Sequence, residues 1–392
     1  RRRLRSAEGA VAYLKNRGVT GVVARDFALG YAPDAWHTME EAFEGDKSVR
    51  TADLLAAGLL TKNDKGNIYD RFRDRIMFPI RDRRGRTIGF GGRVLGDEKP
   101  KYMNSPESAV FHKGRELYGL YEARQALRHI ERLVVVEGYM DAVAVAQFCI
   151  RNAVATLGTA TTERHLELLY RTAPRVVFCF DGDRAGRDAA WKALQTALPS
   201  MKTGREARFL FLPEGEDPDT LVRSIGADAF RERIDSAPTL SNFLFEHLSG
   251  QVDTSTLDGR ARLADLAKPL IARIPPGSLQ DLMRQELAHL TGLEVKEARA
   301  DAPAPNRPPR SMEIGRENSL VRHAIRLLLE EPRLALEENL PAEWRSSKRK
   351  GIHLLAELID LVRNQPDTRS SALIERWRDE RLKKHLAELA ST

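Results

Sequence analysis

The sequence predicts an α/β fold centred on a parallel β-sheet, with carboxylates gathered along one edge. Two observations predict it. First, the apolar runs 133–136, 176–180 and 209–212 are rich in Val, Phe and Leu and are separated by stretches of helical periodicity, the pattern of βαβ units. Second, each run stops at acids: Glu137-Gly138, then Asp181-Gly182-Asp183, then Glu214-Gly215-Glu216-Asp217-Pro218-Asp219. Ligands of open parallel sheets bind beyond the carboxyl ends of the strands. Glu137, Asp181 and Asp183 fall at those ends.

Side chains alternate across a strand, so Asp181 and Asp183 can share a side. Gly182 lets the backbone turn sharply between them. Crowded carboxylates repel one another unless a cation lies among them. Magnesium prefers oxygen ligands and often takes one or two carboxylates plus substrate phosphates. The pattern therefore reads as a divalent-metal site for phosphoryl chemistry. A lone Asp-x-Asp is a weak signal; acidic turns in this order, each after an apolar run, are a strong one. Asp141, one helical turn beyond Glu137, either joins the cluster or caps the helix that follows. Asp217 and Asp219 either add ligands or form an acidic pair favoured by a helix dipole.

Glu137 after one strand and Asp181-x-Asp183 after a later one resemble the Toprim pattern. The fuller text is more specific: Val135-Val136-Glu137-Gly138-Tyr139-Met140-Asp141, Leu157-Gly158-Thr159, Phe180-Asp181-Gly182-Asp183-Arg184-Ala185-Gly186 and Glu216-Asp217-Pro218-Asp219. It is similar to bacterial DnaG-type DNA primases. The resemblance implies an α/β Toprim core at 131–222, a parallel sheet flanked by helices. Before it comes an N-terminal α+β subdomain at 1–130 with a basic template-binding face. After it come a helical subdomain at 223–300, a Pro-rich linker at 301–311 and a small all-α domain at 312–392. The implied activity is a DNA-directed RNA polymerase that makes short RNA primers on single-stranded DNA. Its substrates would be ribonucleoside triphosphates, its cofactor Mg2+ or Mn2+, and its place the cytoplasmic replication fork. Glu137, Asp181 and Asp183 would be catalytic, and with Asp141, Asp217 and Asp219 would ligate metal. The likeness is strong over about residues 7–300 and weaker beyond. Such primases carry an N-terminal zinc ribbon that this sequence lacks, so no zinc is expected. A chain opening on Arg1-Arg2-Arg3 rather than Met reads as a piece of a longer protein.

A length of 392 residues with 42% apolar content allows two or three domains with real cores. No apolar stretch approaches the roughly 20 residues that cross a bilayer, so no membrane partner is expected. Cys149 and Cys179 lie in apolar patterns and read as buried free thiols of a reducing compartment. The net charge of +7 is uneven: residues 71–113 hold eleven Lys or Arg against five acids. A basic tract beside a metal site suggests a polyanion partner.

The periodicity predicts helices over 7–17, ending at Gly18, and over 49–60, interrupted at Gly58. Residues 75–80 and 87–95 pair as a hairpin around the charged turn 82–86. The glycines of the second strand mark close backbone approach or a bulge. Lys99-Pro100-Lys101-Tyr102-Met103-Asn104 and Phe111-His112-Lys113 interleave cations with a ring and an amide, which suits single-stranded nucleic acid. By resemblance, Arg93, Lys101, Tyr102, Asn104 and Lys113 would line a template or nucleotide channel. A helix over 117–128 leads into the core, whose second strand is 153–156 and whose crossover helices are 162–170 and 187–198. Arg184 and Arg187 either touch phosphate or pair with Asp181 and Asp183. From 240 to 299 the pattern is helical, broken at Pro275-Pro276-Gly277. The proline content of 301–310 favours an extended spacer. Helices over 320–329, 351–362 and 371–389 form the last domain. Its counterpart in DnaG primases binds the replicative helicase, but usually ends in a further helical hairpin not found before Thr392.

Two other classes compete. A metal-dependent Toprim nuclease shares the acids; a topoisomerase needs a nucleophilic tyrosine and a far longer chain. A replication adaptor without chemistry would hold DNA or helicase, yet crowded carboxylates destabilise a fold that has no use for them.

Overall fold

The structure is a computed structural model. It describes residues 1–96 and 98–293, then 320–336, 344–346, 351–366 and scattered positions from 368 to 389. The chain divides into two compact units, Arg1–Val295 and Lys296–Thr392.

The first unit opens with α1 (Arg2–Ser6), α2 (Glu8–Asn16) and α3 (Gly21–Asp26), followed by β1 (Gly30–Ala32), α4 (Thr38–Ala42) and α5 (Thr51–Ala56). The helix expected over 49–60 is shorter. It stops at Ala57 because Gly58 turns with φ of +67°. Leu59 and Leu60 then leave the helix, and β2 (Leu60–Lys62) pairs antiparallel with β3 (Ile68–Asp70). The expected hairpin is present as β4 (Arg75–Arg81) and β5 (Thr87–Val94), flanked by β1 on one side and β6 (Tyr102–Asn104) on the other. The helix expected over 117–128 is only α6 (Leu120–Ala126). Gly119, at φ of +82°, precedes it, and Tyr118 is extended so that its N–H reaches the Ala155 carbonyl at 3.0 Å.

The core strands are β7 (Arg132–Val136), β8 (Ala153–Ala155), β9 (Arg175–Phe180) and β10 (Glu206–Phe211), in the spatial order β10-β9-β7-β8, all parallel. The crossovers are α7 (Tyr139–Gln147), α8 (Glu163–Thr172) and α9 (Arg184–Ala197), with α10 (Pro218–Ser236) after β10. Strand alternation sorts the side chains into two cores. Val134, Val136, Val177, Cys179 and Leu210 face the N-terminal elements, packing with Leu4, Ile76, Phe78 and Phe111. Leu133, Val135, Val176, Phe178 and Phe209 face α11 (Leu240–Ser249), α12 (Leu257–Ile271) and α13 (Ser278–Thr291). The sheet is covered on both faces, as its continuous apolar strands require. Cys179 is buried as expected, but Cys149 is exposed. It lies just past the end of α7 with φ of +61°, where the chain turns back toward β8 and carries its side chain to the surface.

The second unit contains α14 (Leu320–Glu330), α15 (Ile352–Asn364) and α16 (Ser370–Glu375) around Ile325, Leu329, Leu354, Leu358 and Val362. The linker expected over 301–311, and most of the helix expected over 371–389, lie outside the described residues. Among the described residues, no helix is long and apolar enough to cross a membrane.

Phe178 is fully buried and stacks on Phe209 with ring centroids 5.4 Å apart. Phe178→Ala should destabilise the first unit by about 3–5 kcal/mol, read as a lower urea midpoint of the full chain by circular dichroism. A loss under about 1 kcal/mol would contradict the packing.

Candidate active site

β7, β9 and β10 are neighbours, and their register places the acids together. Val135 pairs with Phe178, and Phe180 with Phe211. Glu137 and Asp181 therefore leave adjoining strands, which in any sheet lie about 4.8 Å apart. Asp183 is the N-cap of α9, its carboxylate accepting the Gly186 N–H at 2.7 Å. Asp217 is the N-cap of α10, accepting the Thr220 N–H at 2.7 Å. The glycines of this turn serve close approach. A Cβ on Gly182 would strike the Leu212 carbonyl, and one on Gly186 would strike the Asp181 carbonyl. Gly182 does not carry the positive φ that a sharp turn would have needed.

The acids feel one another. The Glu137 carboxyl is raised above its usual range, first by partial desolvation and then by Asp181 and Asp183. Asp181 is raised by desolvation, then by Asp217 and Asp183. Asp141 is pushed up to about 7, by desolvation and then by Asp217, against a Gly138 N–H that it accepts at 2.9 Å. Asp141 thus both caps α7 and belongs to the electrostatic cluster. None of Glu137, Asp141, Asp181, Asp183 and Asp217 forms an ion pair with a described residue. Arg184 and Arg187 accordingly do not pair with the Asp-x-Asp; Arg187 stacks 5.5 Å from the Phe211 ring centroid.

Asp219 is placed differently. It is 1% exposed, with Arg17 Nη1 at 2.7 Å and Arg223 Nε at 2.9 Å. Arg223 also donates to the Asn16 carbonyl at 3.1 Å. These contacts tie α2 to the start of α10 across 202 residues of sequence.

Among the described residues, no three Asp, Glu, His or Cys enclose an ion by themselves. The donor set nonetheless fits a hard cation that keeps other oxygen ligands. It is all carboxylate, it lacks cationic partners among the described residues, and burial together with neighbouring acids raises Glu137 and Asp181. Magnesium sites built on one or two carboxylates plus phosphates have this form.

The basic tract borders the cluster through Tyr102 and Asn104. The Tyr102 hydroxyl is raised chiefly by desolvation and also feels Asp141. Arg93 is buried, donating to the Tyr102 hydroxyl at 3.2 Å and stacking 4.4 Å from the Tyr13 ring centroid. Asn104 donates to the Leu157 carbonyl at 2.9 Å and accepts from the Tyr139 hydroxyl, so it bridges β6 to the loop after β8 and to the start of α7. Lys101 and Tyr102 are exposed. Lys113 is held through its backbone: its N–H donates to Glu107 at 3.0 Å, and its carbonyl lies 2.9 Å from His165 Nε2. Sequence reasoning missed Tyr13, Arg17, Arg223 and Tyr139. Tyr13, Arg17 and Tyr139 act through partners far away in the chain and carry no local mark, whereas Arg223 stands four residues after Asp219 on α10, a helical ion-pair spacing that could have shown it.

A parallel sheet with unpaired carboxylates at the ends of adjoining strands, beside a cationic and aromatic face, defines a Toprim-type protein. Family profiles make the assignment finer. They match a DNA primase catalytic core N-terminal domain over 1–124 and a Toprim-like domain over 134–222. A DnaB-helicase binding domain of primase matches 241–295, and a DNA primase DnaG DnaB-binding domain matches 321–392. The DNA primase of Pseudomonas aeruginosa is 56% identical over 313 residues, 79% of this chain and 46% of that protein. The DNA primase of Escherichia coli K12 is 49% identical over 378 residues, 95% of this chain and 64% of that protein. A solved DnaG primase catalytic domain bound to single-stranded DNA is 57% identical, with a TM-score of 0.69 over 72% of this chain and 91% of that one. The chain belongs to the DnaG family of DNA primases. It spans about half to two thirds of the length of these full-length relatives. The Toprim membership implies use of a divalent metal.

The raised Asp141 sets a pH dependence. Its folded form binds a proton that the unfolded chain releases near the ordinary carboxyl value of 3.8, so without metal its contribution falls as pH rises from about 4 to about 7. Metal-free wild type should therefore lose more stability between pH 5 and pH 8 than Asp141→Asn, by chemical denaturation in chelator. Identical pH profiles would contradict the shift.

Proposed function

We propose that this chain carries the polymerising site of a primase, joining ribonucleoside triphosphates into a short RNA primer on single-stranded DNA. The observation that carries the reading is the set of carboxylates Glu137, Asp181 and Asp183, without ion-pair partners among the described residues and gathered at the strand ends of the parallel sheet. The relatives it matches are DNA primases, and one solved relative holds single-stranded DNA.

Glu137, Asp181 and Asp183 would hold magnesium or manganese, with Asp217 and Asp141 adding negative charge nearby. A metal bound there would supply charge neutralisation for phosphoryl transfer. Phosphoryl transfer asks the rest of the protein for positioning and electrostatics. Lys101 and Tyr102 offer a phosphate partner and a stacking face to the template. Arg93 and Asn104 orient them, and Lys113 continues the cationic wall. Asp219, held by Arg17 and Arg223, fixes the N-terminal face against the acidic edge. The unit containing α14 to α16, which matches a DnaB-binding profile, would dock on the replicative helicase.

Glu137→Gln or Asp181→Ala should lower primer synthesis at least about a hundredfold, as loss of one electrostatic stabiliser does. The assay is incorporation of labelled ribonucleotide on single-stranded DNA, with and without magnesium. Near wild-type product from either variant overturns the reading. DNA cleavage with magnesium and no nucleotides would assign the site to a nuclease instead.

A further inference from the structure

A second charged cavity, of about 600 Å3, lies between the β4–β5 turn and α8. Arg83, Arg84, Arg86, Arg115, Arg164 and Arg171 line it, against the carboxylates of Asp82, Glu116 and Glu167. Two of those acids are already taken. Asp82 pairs with Arg86 at 2.6 Å and Glu167 with Arg164 at 2.8 Å. Arg83, Arg84, Arg115 and Arg171 have no carboxylate partner among the described residues and are exposed. Unpaired guanidiniums converging on one hollow repel one another and favour an anion between them. Their planar donor forks match phosphate oxygens.

Hydrogen bonds tie α8, which borders the cavity, to the segment carrying Lys113, and tie β6 to the loop between β8 and α8. Asn104 holds the Leu157 carbonyl, just past β8, at 2.9 Å. Thr162, the N-cap of α8, donates to the Gly114 carbonyl at 2.6 Å, and the next turn of α8 holds Lys113 through His165. Arg164 and Arg171 then continue along the same helix, about 10 Å apart at 1.5 Å per residue. That length exceeds one phosphate group and suits a run of them.

We propose that this cavity is a second nucleic-acid contact, gripping the sugar-phosphate backbone of a strand after it passes the Lys101, Tyr102 and Lys113 face. The direction of the strand past that face rests on the primase reading; the cavity's affinity for phosphate does not. The cavity would hold a strand by phosphates alone, without reading bases.

The test is fluorescence anisotropy with labelled single-stranded DNA, in chelator and without nucleotides, so that no chemistry intervenes. Probes of about 6 and about 20 nucleotides bracket the distance, with the short one sized for the Lys101 and Tyr102 face. The double variant Arg84→Ala/Arg171→Ala should weaken the long probe about tenfold. It should also flatten its salt dependence by about 1.4 in log-log slope, roughly 0.7 for each phosphate that is no longer neutralised. The short probe should bind unchanged, and Arg115→Ala should give a smaller loss of the same kind. Long-probe affinity and slope at wild-type values for both variants would overturn the proposal, leaving a solvated charged patch. So would an equal loss for both probes. A parallel titration with ATP separates the other source of phosphate: lost ATP binding with intact strand binding would make the cavity a free-nucleotide site and overturn the strand assignment. If the short probe fails to bind wild type while the long probe still depends on the arginines, the channel reading fails and the cavity proposal stands.

Discussion

The half-buried gathering of carboxylates at one sheet edge is the constraint around which the first unit is built. The parallel order β10-β9-β7 brings Glu137, Asp181 and the Asp217 turn to one edge. No described cation pairs with them, and Glu137, Asp141 and Asp181 all hold their protons more tightly than free carboxyls do. A fold tolerates such a cluster only where the sheet holds it rigidly. Here the strand core is fully covered on both faces, and the two flanking layers are the N-terminal elements and α11 to α13.

The N-terminal layer is held to that edge by specific polar contacts as well as by apolar packing. Asp219 receives Arg17 and Arg223, and Arg223 also holds the end of α2. Asn104 bridges β6 to Leu157 and Tyr139, which flanks Glu137 across Gly138. A buried carboxylate with two guanidiniums is costly to break from one side, because the partner left behind stays desolvated. These contacts therefore set the distance between the cationic face and the acids more firmly than a loop could. Both functional surfaces thus depend on the same packed sheet.

Much of this was legible in the sequence, for physical reasons. Each core strand is an apolar run ending in acids, so the sheet and its edge follow from periodicity and from the rule that ligands sit past strand ends. The hairpin followed from its charged turn. The failures have causes as definite. Leu59 and Leu60 continue a helical apolar pattern, yet Gly58 at positive φ ends the helix and the leucines join a strand. Leu117 and Tyr118 look like a helix start, yet β8 recruits Tyr118 backbone groups. Apart from these, the pairing of Asp219 with Arg17 was not legible, because Arg17 lies at the end of α2 and leaves no local trace. The contacts of Arg93 and Asn104 with Tyr102 and Tyr139 were likewise not legible, because pairing across strands and loops leaves no mark in local spacing.

The most direct test of the central claim is proton release on binding of a divalent ion. Manganese binding to the full chain would be followed by calorimetry at pH 6 in buffers of differing ionisation heat, for wild type and Asp181→Asn. Asp141, which burial and then its acidic neighbours push up to about 7, must release its proton when a cation binds beside it. Wild type should release protons on binding, and Asp181→Asn should bind more weakly. Manganese binding with no proton release, or equal binding by both chains, would contradict the account.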